Sequence, residues 1–324
     1  MKTIHEMMRV STPRFSGLTV LLSLALAVVT GFGAERAPGA AVDAKATDTT
    51  FFDGNPNATR NLKPWDHIQV GGDNFAVLAR PDGAEEPGAV RAVPDPLGKQ
   101  GWVYELTVTA ESTFAAKSAT ADRVDLWNNT KRFMGSEGQE TWEHFQFMFP
   151  ANRYHPSPGN WNWLVQHHND SGYKRFVKSG QIVWEYPELV WGVNTASKLP
   201  DGTEATAFFM RVWGGDDTKP GTPTMVYTGE ALRYDHWYDL LTRVVWSTDA
   251  KTGFVAWWVD GKRIYEAHHA TLWTRPDGTG DHVNFEFSNY RKHDTTTSTV
   301  YFGRVKLGAT RRAVEFEPTV KGTP

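Results

Sequence analysis

The 324-residue chain contains no cysteine. That excludes disulfide scaffolds, cysteine-ligated zinc, iron–sulfur clusters and a thiolate nucleophile. Positive charge is not in excess either: 34 Lys and Arg stand against 37 Asp and Glu, a formal −3. Nucleic-acid binders carry a basic field that this chain lacks, so nucleic acid is not expected as a partner. Apolar runs are short. The longest, residues 18–29, falls below the roughly 20 residues a bilayer-spanning helix needs, and no membrane contact is expected once the N-terminus is removed. Amphipathic helical periodicity beyond about three turns is missing as well. What the chain has in quantity is aromatic side chains, 14 Trp, 18 Phe and 10 Tyr, punctuated by 29 Gly and 18 Pro.

Lys2, Arg9 and Arg14 precede the apolar run, and Gly31, Gly33 and Ala34 follow it. A positive start, a short apolar centre and small residues behind it predict a secretory signal peptide over 1–34 and a secreted product, extracellular or periplasmic. Residues 35–50 are Ala-rich, polar and patternless, which predicts a flexible leader. From 51 to 324 there is no composition break, linker or repeat, so one large domain is expected. Its recurring pattern has period 2. Phe145, Phe147 and Phe149 alternate with His144, Gln146 and Met148, and residues 254–259 and 262–265 flank Asp260-Gly261, a strong hairpin signal. Residues 283–290 and 299–307 read as further strands. The prediction is an all-β sandwich of two antiparallel sheets, of jelly-roll type, with nothing to suggest other than a monomer.

Alternation also sorts side chains onto faces. Along 161–168, Trp161, Trp163 and Val165 fall on one side, with Asn162, Leu164, Gln166 and His168 on the other. Along 283–292, Val283, Phe285 and Phe287 oppose Asn284, Glu286, Ser288, Tyr290 and Lys292. Arg123, Asp125 and Trp127 share a side. Antiparallel sheets commonly present one solvated face. These residue types are nonetheless unusual for one: Gln-x-His, Arg-x-Asp and a Tyr followed by Arg291 and Lys292 suit proton transfer and anion contact. Asp216-Asp217 after Gly214-Gly215 has the oxygen ligands a structural calcium would need, although a solvated turn explains it as well; no cofactor is required. The basic stretches 173–178 and 304–312 fit either a polyanion groove or solvated edge strands.

An ordered series of short matches runs from about residue 51 to 310. It comprises Val93-Pro94-Asp95-Pro96, Arg123-Val124-Asp125, Glu137-Gly138-Gln139-Glu140-Thr141-Trp142, Gln166-His167-His168, Asp235-His236-Trp237-Tyr238, Trp258-Val259-Asp260-Gly261 and Tyr290-Arg291. In this the chain resembles the heparin lyase I-like polysaccharide lyases, a concanavalin A-like jelly-roll family related to alginate and glucuronan lyases. The resemblance implies that His168 and Tyr290 are a proton-transfer pair and that Gln166 and Arg123 lie against a substrate carboxylate. Asp125, Asn128, Arg291, Lys292, Trp163 and Gln69 are the accompanying candidates for substrate contact. The family's Lys-x-Gly-x-Tyr strand reads Glu286, Ser288 and Tyr290 here, and the loss of the lysine argues against a densely sulfated substrate.

The activity so implied is β-elimination on a uronate-containing polysaccharide, an acidic polymer. Donors must neutralise the uronate carboxylate, a base must take the C5 proton and an acid must protonate the departing oxygen. Cationic neighbours would lower the Tyr290 pKa and favour it as a base. Two other functions fit the same fold class. A lectin-like jelly roll would need only aromatic and polar contacts. A glycoside hydrolase would need two facing carboxylates, and Glu185 and Glu188, separated by Tyr186-Pro187, lack the required alternation.

Overall fold

The computed structural model describes residues 49–56, 67–70, 73–78, 90–109, 121–128, 135–157, 161–169, 174–178, 181–184, 187–216, 222–275 and 278–316. The expected signal peptide and almost all of the leader lie outside these residues. The strands form two eight-stranded antiparallel sheets. The back sheet runs β17 (Lys262–His268), β16 (Phe254–Val259), β15 (Trp237–Val245), β7 (Glu140–Met148), β20 (Ser298–Gly308), β5 (Trp102–Val108), β4 (Val90–Pro94), with β1 (Thr50–Gly54) also paired to β20. The front sheet runs β14 (Thr224–Ala231), β12 (Glu204–Val212), β11 (Leu189–Lys198), β8 (Trp161–Asn169), β19 (Val283–Lys292), β6 (Ala121–Asn128), β3 (Asp73–Leu78), β2 (His67–Val70). Two small ribbons complete the strands: β9 (Lys174–Lys178) with β10 (Gln181–Trp184), and β13 (Gly215–Asp216) with β18 (Trp273–Thr274). A single helical turn, α1 (Arg311–Val314), follows β20. The chain passes repeatedly between the sheets, β5 to β6 to β7 to β8 and β19 to β20 among the crossings, and the architecture is a jelly-roll sandwich.

Period-2 patterning explains the core. Phe145 and Phe147 of β7 face Phe285 and Phe287 of β19 across the sandwich, all at most 1% exposed. Phe145 and Phe285 stack with centroids 5.6 Å apart, and Phe285 also meets Phe52, Phe287 and the ring of His167. The Asp260-Gly261 hairpin forms as the dipeptide predicts: both residues are left-handed, at φ 51° and 75°, the conformation a two-residue type I′ turn requires.

One departure from ideal alternation reorganises the front sheet. Between Val165 and Trp163, β8 carries one more residue than β11, a β-bulge. Beyond it the faces exchange, so Trp163 turns to the outer side together with Gln166 and His168, contrary to the simple alternation expected from sequence. The hydroxyl of Ser288 donates to the Trp163 carbonyl at 3.2 Å, giving that oxygen a partner at the bulge.

Truncating Phe285 to Ala should cost about 3–5 kcal/mol, because its pocket is lined from both sheets and cannot collapse. Chemical denaturation of the variant measures this; a loss under about 1 kcal/mol would show that the ring stack does not hold the sheets together.

Candidate active site

The polar side chains of β6, β19 and β8 meet on the outer face of the front sheet. In register, Tyr290 stands opposite Arg123 on one flank and Trp163 on the other, Glu286 opposite Gln166, and Asn284 opposite His168. This is no solvated sheet face. Gln166 is 1% exposed, Asp125 2%, Glu286 6% and Ser288 0%. A buried polar group costs free energy unless it is paired, so these residues must be satisfied by one another or by something bound.

Arg123 is the centre of the arrangement. Its Nη2 donates to both carboxylate oxygens of Glu286 at 2.6 Å, and its Nε donates to Asp125. The guanidinium carbon also lies 4.8 Å from the centroid of the Tyr290 ring. Burial opposes the Arg123 charge, but Asp125 and Glu286 outweigh it and raise its pKa. Burial in turn raises both carboxyls, against the pull of Arg123. Arg123, expected against a substrate carboxylate, is bonded in this structure to two buried carboxyls.

Tyr290 is packed edge-on against Trp161 and Trp163, with centroids 5.0 and 5.4 Å away. Burial raises its pKa, outweighing the opposing effect of Arg123. The expected lowering by Arg291 and Lys292 does not occur. Arg291 is 0% exposed and faces the other way, bonded to Asp122 and to the carbonyls of His155, Asp294 and Thr296. It is a structural residue of the sandwich interior, not a substrate contact. Lys292 is exposed at the end of β19.

The ring of His168 is half-buried, with Nδ1 3.0 Å from the Asn169 carbonyl. A carbonyl only accepts, so Nδ1 carries the hydrogen and Nε2 keeps its lone pair in the neutral ring. Burial lowers the His168 pKa, and the charges of Arg123 and Arg211 lower it further, against hydrogen bonding to Asn169. His168 and Tyr290 are not cross-strand partners: Tyr290 pairs with Trp163, five positions along β8 from His168. Arg123 lies against the Tyr290 ring, and its charge adds to the lowering of the His168 pKa. The amide nitrogen of Gln166, between them along the strand, is buried without a hydrogen-bond partner among the described residues.

The remaining candidates are less informative. Asn128 and Gln69 lie on β6 and β2 of the same sheet, but their side chains fall outside the described residues. Asp216 is exposed on β13, Asp217 lies outside the described residues, and no metal-ligating cluster occurs among those described. The 304–312 stretch is not an open basic strip, since Arg304 pairs with Asp53 and the ammonium of Lys306 donates to the Glu315 carbonyl. Sequence reasoning missed Arg211 on β12. Its guanidinium carbon lies 4.8 Å over the Trp163 ring and 5.9 Å from that of Trp213.

The chain belongs to the polysaccharide lyase family, whose model matches residues 57–306. It is a polysaccharide lyase built on a jelly roll. Its fold is that of an endo-β-1,4-glucuronan lyase from the fungus Trichoderma reesei, with 15% identity and a TM-score of 0.57, covering 82% of this chain and 98% of that one. Two alginate lyases also match at 12% identity and a TM-score of 0.43. One was solved with an alginate trisaccharide (64% of this chain, 82% of that one), and the other is a family 7 enzyme with bound substrate (70% and 83%). No functionally curated protein matches the sequence.

Replacing Arg123 by Met strands Asp125 and Glu286 without a counter-ion, and should destabilise the protein by about 3–5 kcal/mol. Adding Glu286→Gln to that variant should restore part of the loss. Denaturant titration of the single and double variants checks both, and additive losses would show that the ion pairs are not coupled.

Proposed function

We propose that the protein cleaves a uronate-containing polysaccharide by β-elimination, with His168 as the base and Tyr290 as the acid. The observation that carries this reading is the opposite effect of one environment on two groups. Burial lowers the His168 pKa, favouring a neutral ring with the Nε2 lone pair free of a proton, and raises that of Tyr290, favouring the protonated phenol. His168 would take the C5 proton of the uronate. The electrons form the C4–C5 double bond as the C4–O4 bond breaks, and Tyr290 delivers its proton to the departing oxygen. The unpartnered amide of Gln166 would donate to the uronate carboxylate, whose negative charge otherwise opposes build-up of the enolate-like intermediate. Trp161 and Trp163 offer aromatic faces beside Tyr290 for packing against sugar rings.

The balance of charge favours an unsulfated polymer. Arg123 is bonded to both Asp125 and Glu286 beside Tyr290, so its charge is committed within the protein rather than offered to sulfate groups. Glucuronan, the polymer named for the Trichoderma enzyme of the same fold, is the first substrate to test. The basic, then apolar, then small-residue N-terminus supports export of the enzyme to where such polymers are found.

Mature protein should release unsaturated uronyl product, read by its ultraviolet absorbance, from at least one of glucuronan, alginate, hyaluronan, chondroitin and heparan sulfate. Tyr290→Phe should lower kcat by about a hundredfold or more with the fold intact, the usual weight of a general acid. Reducing ends without the absorbance would mean hydrolysis, and binding without either would mean a lectin.

The pH profile follows from the same pKa directions. Lowering the His168 pKa moves loss of the base to more acidic pH, so the acid limb of kcat/KM should fall below the ordinary imidazole value of 6.5. Raising the Tyr290 pKa moves loss of the acid above its ordinary value of 10. Rates measured from pH 4 to 11 test this, and an acid limb above pH 7 would remove His168 as the base.

A further inference from the structure

The cluster around Arg123 sets two carboxyls against one cation. Asp125 and Glu286 are both buried, and among the described residues Arg123 is the one cation whose charge acts on either. The elements packed around Asp125 supply no second one. On β19 it stands opposite Ser288, which Glu286 and Tyr290 flank on the same face, and on β3 it stands opposite Leu78. Asp122 and Arg291 face the interior and bind each other there, and His293 binds Asp122. Lys292 is exposed at the end of β19, burial favours the neutral form of His168 on β8, and Arg211 is on β12, beyond β19, β8 and β11. With both carboxyls ionised, the cluster would hold a net negative charge away from water. Two carboxylates sharing such a site relieve their repulsion by taking up a proton between them. The hydrogen bonds show which oxygen has room for it. Nη2 of Arg123 donates to both oxygens of Glu286 at 2.6 Å, and Nε donates to Oδ2 of Asp125. Oδ1 of Asp125 is buried and receives no hydrogen bond. Burial pushes the Asp125 carboxyl up to about 7 from its ordinary 3.8, with Glu286 acting in the same sense and Arg123 against it.

We propose that Asp125 carries a proton on Oδ1 in the substrate-binding state, a positioning residue that keeps the Arg123 cluster neutral and so lets a uronate carboxylate enter beside it. The consequence for substrate rests on the β-elimination reading above, whereas the proton itself does not. A carboxylate held by the amide of Gln166 lies next to Glu286, the cross-strand partner of Gln166. With Asp125 protonated, Arg123 and Glu286 balance, and the entering carboxylate meets no net charge. With Asp125 ionised it meets an uncompensated negative charge in a desolvated setting, where repulsion is least screened. The sign follows: the proton is kept at acidic and neutral pH, and binding weakens as pH rises through the raised Asp125 value. Bound substrate holds the proton in place, so the loss falls on KM rather than on kcat. A lysine at position 286, as in the related pattern, would add a second cation and remove the need for the proton.

The test compares mature wild type with Asp125→Asn, which copies the shape and donor of the protonated carboxyl, and Glu286→Gln, which leaves Arg123 a single carboxylate. The infrared difference spectrum of wild type against Asp125→Asn should show the carbonyl band of a protonated carboxyl at pH 6 and lose it by pH 9. Absence of that band at pH 6 overturns the proposal whether or not the protein is a lyase. On the polymer that wild type cleaves, KM should rise by up to about tenfold per pH unit above about pH 7 while kcat holds. In each variant KM should stay within about threefold between pH 6 and pH 9, because the titrating proton is gone. Variants that keep the wild-type slope would show a merely structural carboxyl, and a fall carried by kcat with KM flat would place the proton in the chemistry; either overturns the proposal. If wild type forms no unsaturated product from any polymer, the elimination reading fails separately, and affinity electrophoresis reads the binding step. Retardation of wild type that fades between pH 6 and pH 9 but persists in Glu286→Gln supports the role of the proton, and the same pH dependence in both proteins rejects it.

Discussion

β8 and β19 lie in the middle of the front sheet, buried on the inner face and along much of the outer one, and the character of the site depends on that constraint. Inward, their side chains pack against the phenylalanine layer of β7. Outward, Gln166, Glu286 and Ser288 are almost as completely removed from solvent. Desolvation penalises whichever form of a group carries charge, so it acts in opposite directions on acids and bases. A phenol becomes harder to ionise and an imidazole harder to protonate. One physical cause thereby prepares a proton donor at Tyr290 and a proton acceptor at His168, with no charged partner dedicated to either.

The same burial demands support from behind. His167, between Gln166 and His168, faces the interior among Trp191, Trp246 and Phe285, with its Nε2 2.6 Å from Oε1 of Glu143 on β7. Both residues are fully buried, so the contact ties the strand that carries the two outward groups to the opposite sheet. Behind Tyr290, Arg291 binds Asp122, which also takes His293 at 2.7 Å, and Asn289 donates to the carbonyls of Leu106 and Ser298. Polar contacts of this kind hold a strand more directionally than apolar packing alone. The consequence for function is that Gln166, His168 and Tyr290 project from backbone anchored on its reverse face.

How far the sequence can be read follows from which signals are local. The hairpin at Asp260-Gly261 and the inward phases of β7 and β19 are local, and alternation locates them. The bulge in β8 is not: Trp161 to His168 contains no glycine or proline to mark it, yet it changes the face of Trp163. Arg291 teaches a different lesson. Alternation already puts it on the inward side with Phe285 and Phe287, and its adjacency to Tyr290 was a poorer guide than its phase. Arg211 escapes notice because it sits in the apolar run Phe208-Phe209-Met210-Arg211-Val212, and only the pairing of three strands brings it level with Gln166. The family resemblance located Gln166, His168 and Tyr290 in sequence, but the partners that cancel the Arg123 charge required the register of β6 against β19.

That commitment of the Arg123 charge bears on what the site can accept. An arginine bonded to two carboxyls, both pushed toward their neutral forms by burial, offers no uncommitted positive charge. Where the related pattern has a lysine, Glu286 thus does more than remove a positive charge, because it commits Arg123 to an internal ion pair. A polymer with sulfates on several ring positions would bring added charge into a desolvated setting where Arg123 is already bonded to Asp125 and Glu286. A polyuronate carries one carboxylate per ring, and the buried amide nitrogen of Gln166 is a donor placed to answer it. On this reading a ring carboxylate turned toward Gln166 brings the C5 hydrogen toward His168, two residues along the same face of β8.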